Sequence, residues 1–188
     1  SMLINNAGIS GFGSLNQTND SELDLLLKVN LSSPILLIQG VLPQLKKRNS
    51  GYIINIGSTF GSIGFACFST YCASKFGLRG FTEALHRELA DTNIKVFYLA
   101  PRTTSTAINS PAVEEMNSSL GNQVDSPDVV AKALLKQLQQ RQARCFIGWP
   151  EKLFVKINGA FPGIVDSALL KKLPIIKKFA TQTPVEAN

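Results

Sequence analysis

The sequence predicts an α/β fold: a doubly wound parallel sheet of about four strands with flanking helices. Two patterns predict it, short runs that are apolar at nearly every position and longer runs with apolar residues at helical spacing, alternating along the chain. Strands covered on both faces need no polar alternation, and intervening helices are the crossovers a parallel sheet requires. With 188 residues, 44% hydrophobic and 17% charged, the chain is long enough to bury one sizeable core.

Met2-Leu3-Ile4 reads as the end of a buried strand that breaks into a loop at Asn5-Asn6-Ala7-Gly8. Thr18-Asn19-Asp20 is a capping and acidic cluster. From there Leu23, Leu26, Leu27, Leu31, Ile35, Ile38, Leu42 and Leu45 recur at helical spacing up to Lys46-Lys47-Arg48. Pro34 is expected to divide this stretch, Asp20 to Arg48, into a short helix and a longer one. Tyr52 to Ile56 is β-rich and nearly all apolar, a second strand. Ser69 to about Asp91 reads as a long helix, Ile94 to Ala100 as a third strand closed by Pro101. Ser126-Pro127-Asp128 starts a helix running to about Gln140, with cap, first-turn proline and acid in place. Cys145 to Gly148 reads as the last strand. Residues 149–188, punctuated by Pro150, Pro162, Pro174 and Pro184, read as short helices outside the sheet.

Charge and cysteine content narrow the function classes. The net charge is +6, but the basic residues are not interleaved with aromatics in a tract, so nucleic acid is not an expected partner. Six lysines of the tail (152, 156, 171, 172, 177, 178) face three acids there and hold half of that excess. Cys67, Cys72 and Cys145 are odd in number and lack C-x-x-C spacing, which argues against a disulfide framework or zinc site and for a reducing cytoplasm. The polar Asn5-Asn6 directly after Ile4, and the lack of about 18 consecutive apolar residues, predict neither a signal peptide nor a spanning helix.

The residues suited to chemistry are few. Tyr71 and Lys75 stand four apart on the long helix, so they share a face. A lysine cation about 4 Å from a phenol, at an effective dielectric of about 20, is worth about 4 kcal/mol toward the phenolate. Such a phenol can exchange a proton with an alcohol or carbonyl oxygen. Ser58 follows the second strand through Gly57, at the carboxyl edge where open sheets place ligands, and its hydroxyl could hold a substrate oxygen beside Tyr71. Asn30, a polar amide among leucines, could bind a water behind Lys75. Plainer roles exist for each: a packing pair for Tyr71 and Lys75, a cap for Ser58, a backbone partner at the Pro34 break for Asn30. His86 has no triad-like company and reads as a surface or contact residue.

Taken together, Asn5-Asn6-Ala7-Gly8, Lys28-Val29-Asn30, Ile56-Gly57-Ser58 and Tyr71-Cys72-Ala73-Ser74-Lys75 occur in the order and spacing of the short-chain dehydrogenase/reductase family, which the chain resembles over most of residues 2 to 149. The resemblance implies the carboxyl-terminal part of a Rossmann-like sheet, with 1–149 a partial catalytic domain and 150–188 a helical extension packed on it. It implies that Tyr71 is the catalytic acid/base, that Ser58 orients the substrate oxygen, that Lys75 lowers the tyrosine pKa and binds the nicotinamide ribose, and that Asn30 completes a proton relay. It implies NAD or NADP as cofactor, with Asn5, Ala7, Gly8, Pro101, Thr104 and Thr106 beside Tyr71 and Lys75 along its site.

Two departures qualify the resemblance. The family has Pro-Gly, then Val or Ile and a Thr, where this chain has Pro101-Arg102-Thr103-Thr104-Ser105-Thr106. Arg102 in place of glycine is expected to alter the pocket or to offer charge to an anionic group. The family's T-G-x-x-x-G-x-G loop, which receives the cofactor pyrophosphate at a helix start, does not occur in the sequence. Gly8-Ile9-Ser10-Gly11-Phe12-Gly13 leads into a polar loop instead and reads as packing glycines. The first strands of the fold are therefore expected to be missing, with weak or absent cofactor binding and little turnover. The alternative is a non-enzymatic, degenerate or truncated member acting only in oligomer assembly. Under either reading the two long helices are expected to pair copies into a homodimer or homotetramer. The lysine-rich tail suits packing over the pocket of an apolar alcohol or carbonyl substrate better than contact with a membrane surface.

Overall fold

The computed structural model describes residues 1–181; residues 182–188, which include the tail's Pro184 and Glu186, lie outside the described residues. Four strands form one sheet in the order β1 (Met2–Asn5), β2 (Gly51–Ile56), β3 (Ile94–Ala100), β4 (Arg144–Phe146). Every neighbouring pair is parallel, with Leu3 opposite Ile53, Ile53 opposite Val96, and Leu99 opposite Cys145. This is the sheet that the apolar runs predicted. β4 begins one residue earlier and ends two residues earlier than Cys145 to Gly148, because Gly148 adopts a positive φ of 99° that ends extended pairing.

Helix α1 (Asp20–Leu27) starts at Asn19, whose side chain accepts from the Glu22 amide at 2.8 Å while Glu22 reaches back to the Asn19 amide, a complete capping box. The chain does not break at Pro34. A π-helical turn, Lys28–Ser32, carries α1 directly into α2 (Ser33–Arg48), and Pro34 sits in the first turn of α2, where its missing amide costs nothing. Asn49 closes α2 at a left-handed φ of 46°. The whole stretch Asp20–Arg48 is long and apolar enough to cross a membrane by length and composition, a test that core helices of α/β folds also pass. Here Ile38 and Leu45 of α2 pack on the sheet, while Leu25, Leu36 and Leu37 face outward.

Helix α3 (Ser69–Glu88) lies on the same side of the sheet as α2. Ile38 and Leu45 of α2, Leu85 and Leu89 at the end of α3, and Ile53, Ile94 and Val96 of the strands form one core. α5 (Pro127–Gln139) buries Gln137, whose amide donates to the carbonyls of Tyr98 and Gln142 at 3.0 and 2.9 Å and so ties the segment before β4 to β3. A helix not read from the sequence, α4 (Pro111–Ser119), is capped by Ser110 and buries Val113 and Met116. The tail folds as the expected short helices α6 (Glu151–Ala160), α7 (Pro162–Leu170) and α8 (Leu173–Ala180). Val155 and Val165 pack on Ile63; Ile176 and Phe179 pack on Phe65, Phe68, Cys72 and Met116. The tail and α4 thereby roof the carboxyl edge of the sheet.

Candidate active site

The strands β2 and β3 end beside the start of α3, and the chemistry-bearing residues collect there. A cavity of about 970 Å³ is lined by Ala7, Gly8, Ser58, Tyr71, Lys75, Pro101, Thr104 and Thr106. Eight of the ten residues expected at the site thus share one space. Asn5 and Asn30 do not line it.

Ser58 leaves β2 through Gly57 and caps a short 3-10 turn, Thr59–Gly61, its hydroxyl accepting from the Phe60 amide at 3.1 Å. The plainer capping role and a place in the cavity are thus both present. Beneath this loop lies Tyr98, fully buried, whose hydroxyl donates to the Ser58 carbonyl at 3.3 Å. A Cβ on Gly57 would collide with the Tyr98 ring and hydroxyl, and one on Gly61 would stand 2.6 Å from that hydroxyl and 2.7 Å from the Lys75 carbonyl. Two glycines are therefore required for the loop to rest on Tyr98 and against α3. Nothing in the spacing of Tyr98 from Ser58 revealed this support, since the contact spans forty residues.

Tyr71 and Lys75 occupy one face of α3, as their spacing predicted, with the ammonium 5.7 Å from the centre of the phenol ring. Lys75 donates to the Ile56 carbonyl at 3.3 Å. The expectation that Lys75 lowers the tyrosine pKa is not met in this chain. Burial pushes the Tyr71 phenol up to about 12, with the nearby Ser58 side chain opposing the rise, and burial pulls the Lys75 ammonium down to about 8. The charge-only argument from the sequence omitted the desolvation of both groups, and desolvation wins.

Asn30 is 1% exposed and lies in the π turn. Its side chain grips Ile9 from both sides, accepting from the amide at 2.9 Å and donating to the carbonyl at 2.8 Å, and it donates to Ser74 Oγ at 3.1 Å. It pins the loop after β1 to α3, a role the Pro34 argument did not anticipate. Gly8 fits beside it because a Cβ there would stand 3.3 Å from Asn30 Oδ1 and 3.5 Å from Lys75 Nζ. Asn5 turns into the sheet, donating to Asn55 Oδ1 at 2.8 Å, and Asn55 donates to Thr82 at 2.8 Å. Its place along a cofactor site is corrected accordingly: the side chain braces β1 to β2, and its neighbours Ile4, Asn6, Ala7 and Gly8 line the cavity instead.

Arg102 is also corrected. Its guanidinium makes a two-pronged pair with Asp125 at 2.9 and 2.7 Å and reaches Gln123 at 2.7 Å and Glu151 at 3.3 Å. Its charge is neutralised from both sides and is not free for an anionic ligand. Sequence reading missed these partners because they lie in the segment before α5 and at the start of α6.

A parallel open sheet with a tyrosine, a lysine and a serine converging at its carboxyl edge defines the class: an open α/β scaffold with polar and titratable groups at the edge where such sheets place ligands. The profile of the short chain dehydrogenase family matches residues 1–117, and the chain belongs to that family. It is 35% identical over 123 residues to the 3-oxoacyl-(acyl-carrier-protein) reductase FabG of Salmonella typhimurium, covering 65% of this chain and 50% of that protein. It is 39% identical over 130 residues to the oxidoreductase claN of Passalora fulva, covering 66% and 59%. The chain thus spans roughly half the length of the curated relatives it matches. Among solved structures, a short-chain dehydrogenase from Streptomyces avermitilis superposes with a TM-score of 0.72 at 28% identity, over 98% of this chain and 71% of that one. One from Burkholderia cenocepacia, in complex with NADP, superposes with a TM-score of 0.76 at 22% identity, over 90% and 68%.

Proposed function

We propose that this chain carries the proton-transfer half of an NAD(P)-dependent oxidoreductase acting on a small-molecule alcohol or carbonyl. The observation that supports it most is the convergence of Ser58, Tyr71 and Lys75 on the cavity that Ala7, Gly8, Pro101, Thr104 and Thr106 also line. When bound there, a nicotinamide dinucleotide supplies the hydride. With its pKa near 12, Tyr71 keeps its proton at neutral pH and is in the form that donates to a carbonyl oxygen becoming an alkoxide. Ser58, whose carbonyl accepts from Tyr98 below it, would orient that oxygen. Lys75 is the cation on the cofactor side, where ribose hydroxyls are the groups it would bind.

The fit of the cofactor is partial. Gly8 leaves the wall flat beside Lys75, and Pro101, Thr104 and Thr106 face the same space, so the nicotinamide-ribose end has its residues. The sequence holds no Gly-rich pyrophosphate loop, so these 188 residues alone are expected to bind NADH or NADPH weakly and to turn over little. Titration calorimetry tests this, and submicromolar affinity for either cofactor would overturn it. Where NADPH- or NADH-dependent carbonyl reduction is measured, Tyr71→Phe should lower it by about 10²- to 10⁴-fold; equal rates would remove Tyr71 from the chemistry.

The assembly reading has its own support. Leu25, Leu36 and Leu37 on α1 and α2, and Phe76 on α3, are exposed at 54%, 63%, 54% and 43%, and apolar side chains this open on these helices favour self-association. A homodimer or homotetramer through these helices is expected by native mass measurement, and Leu36→Glu should shift it to monomer. The free thiols of Cys67, Cys72 and Cys145 support a cytoplasmic setting.

A further inference from the structure

The lining of the cavity is of two kinds, polar and apolar, and the Tyr71 ring touches both. On one side the ring meets the Lys75 ammonium. On the other it makes edge contacts with Phe60 and Phe68, ring centres 6.3 and 6.2 Å away. That apolar part continues through Phe65, Val113, Met116 and Leu169, on the loop before α3, α4 and α7. We propose that it is a subsite for the substituents of a bulky, uncharged ketone or aldehyde, and that it disfavours small keto and hydroxy acids. The proposal rests on the oxidoreductase reading of Tyr71 and names the substrate class for that same site.

Two observations carry it. The first is the wall itself: α4 and the tail helices present aromatic, aliphatic and thioether groups toward Tyr71. Each substrate methylene buried against them should tighten binding by about fourfold. The second is what happens to the polar groups nearby. Asn117, 4% exposed, donates to the Val113 carbonyl at 2.9 Å and accepts from Asn122 at 2.9 Å, so both ends of its amide are satisfied. Arg102, which also lines the cavity, is held by two carboxylates and Gln123. A substrate carboxylate lowered among the phenyl rings would lose its water, and the Arg102 guanidinium nearby is already taken. Lys172, half-buried at the joint of α7 and α8, is the cation on the tail's part of the lining, and an anionic ligand would have to be held there. The volume of about 970 Å³ lies at the upper end for drug-sized ligands, leaving room for a ring system beside a nicotinamide.

The test is binding without cofactor, followed by titration calorimetry and ligand-observed NMR on the 188-residue chain. 1-Acetonaphthone serves as the neutral bulky ketone and pyruvate as the small anion. The ketone should bind at least tenfold more tightly than pyruvate. Leu169→Trp, which fills the subsite, should weaken the ketone tenfold or more. Phe154→Asp, at a lining position that is 38% exposed and therefore tolerant of change, should do the same if the tryptophan variant fails to fold. Lys172→Met should leave ketone binding within twofold. Pyruvate binding as tightly as the ketone, or ketone binding indifferent to the folded lining variants, would overturn the proposal. Loss of pyruvate binding in Lys172→Met with no ketone binding in the parent chain would overturn it too. Ketone binding with no NAD(P)H-dependent reduction in any extended form of the chain would keep the subsite and remove the oxidoreductase reading, whereas preferred reduction of keto acids would do the reverse.

Discussion

Helix α3 carries two buried polar groupings on one face, two turns apart, and they are built to opposite rules. Around Thr82 every donor is matched: Asn5 donates to Asn55, Asn55 to Thr82, and Thr82 to the Leu78 carbonyl at 2.6 Å. Around Lys75, a residue 4% exposed, the ammonium has one carbonyl at 3.3 Å, and Tyr71 lines a cavity. The first grouping fastens β1 to β2 and β2 to α3. The second holds a cation and a phenol away from both water and full pairing, the condition under which pKa values move. The second arrangement costs the fold stability, and the proton transfer proposed for Tyr71 would use it.

Three substitutions can break or sharpen this contrast. Asn55→Leu should have the largest effect, destabilising the chain by about 3 kcal/mol, because it strands the Asn5 amide and removes a partner of Thr82 in a place water does not reach. Denaturant unfolding measures it, and a cost under about 1 kcal/mol would show the network to be incidental. Lys75→Met should act in the opposite direction. The fall of the lysine from an ordinary 10.5 to about 8 corresponds to about 3 kcal/mol of unfavourable burial, and losing the bond to Ile56 returns about 1 kcal/mol, so a gain of about 2 kcal/mol is expected at pH 7. The gain has a pH signature. Between pH 8 and 10.5 the unfolded lysine still binds its proton while the folded one has released it, so the parent chain gains stability with rising pH there and the advantage of Lys75→Met shrinks. A pH-independent gain would refute the desolvated cation.

Tyr71→Phe should have the smallest effect, within about 0.5 kcal/mol at pH 7, because the phenol is protonated in both states and its hydroxyl faces the cavity. Its signature lies at high pH. The folded phenol keeps its proton to about 12 while the unfolded one ionises near 10, so the stability of the parent chain should fall across that window and that of the phenylalanine variant should not. A marked loss of stability at neutral pH would make Tyr71 part of the core rather than of the site.

The sheet, the long helices and the Tyr71–Lys75 face were legible in the sequence because each is written in short-range periodicity. What escaped depends on partners far along the chain. The direction of Asn5 was hidden because a strand residue before a loop can turn either way, and only Asn55 across the ladder decides it. The π turn was hidden because apolar spacing continues through Lys28–Ser32 with little disturbance, so Pro34 looked like the boundary. Arg102 looked like an offered charge because Asp125 and Glu151 stand 23 and 49 residues away. Helix α4 was unread because the Ser110 cap is followed by only nine helical residues of mixed character. The pKa of Tyr71 went the wrong way because sequence shows neighbours but not burial.

The loop that carries Ser58 also constrains how relatives of this chain can diverge. Position 57 cannot acquire a side chain while position 98 is tyrosine, because the two would occupy the same space. Position 98 must shrink first, and a smaller residue there removes the hydroxyl under Ser58 before anything replaces it. Sequence drift at these two sites is thus ordered as well as coupled: the intermediate chain has an unsupported loop and must survive it. Tyr98→Phe alone and Tyr98→Ala with Gly57→Ala mark the two ends of that route, and their stabilities measure how high the barrier between them stands.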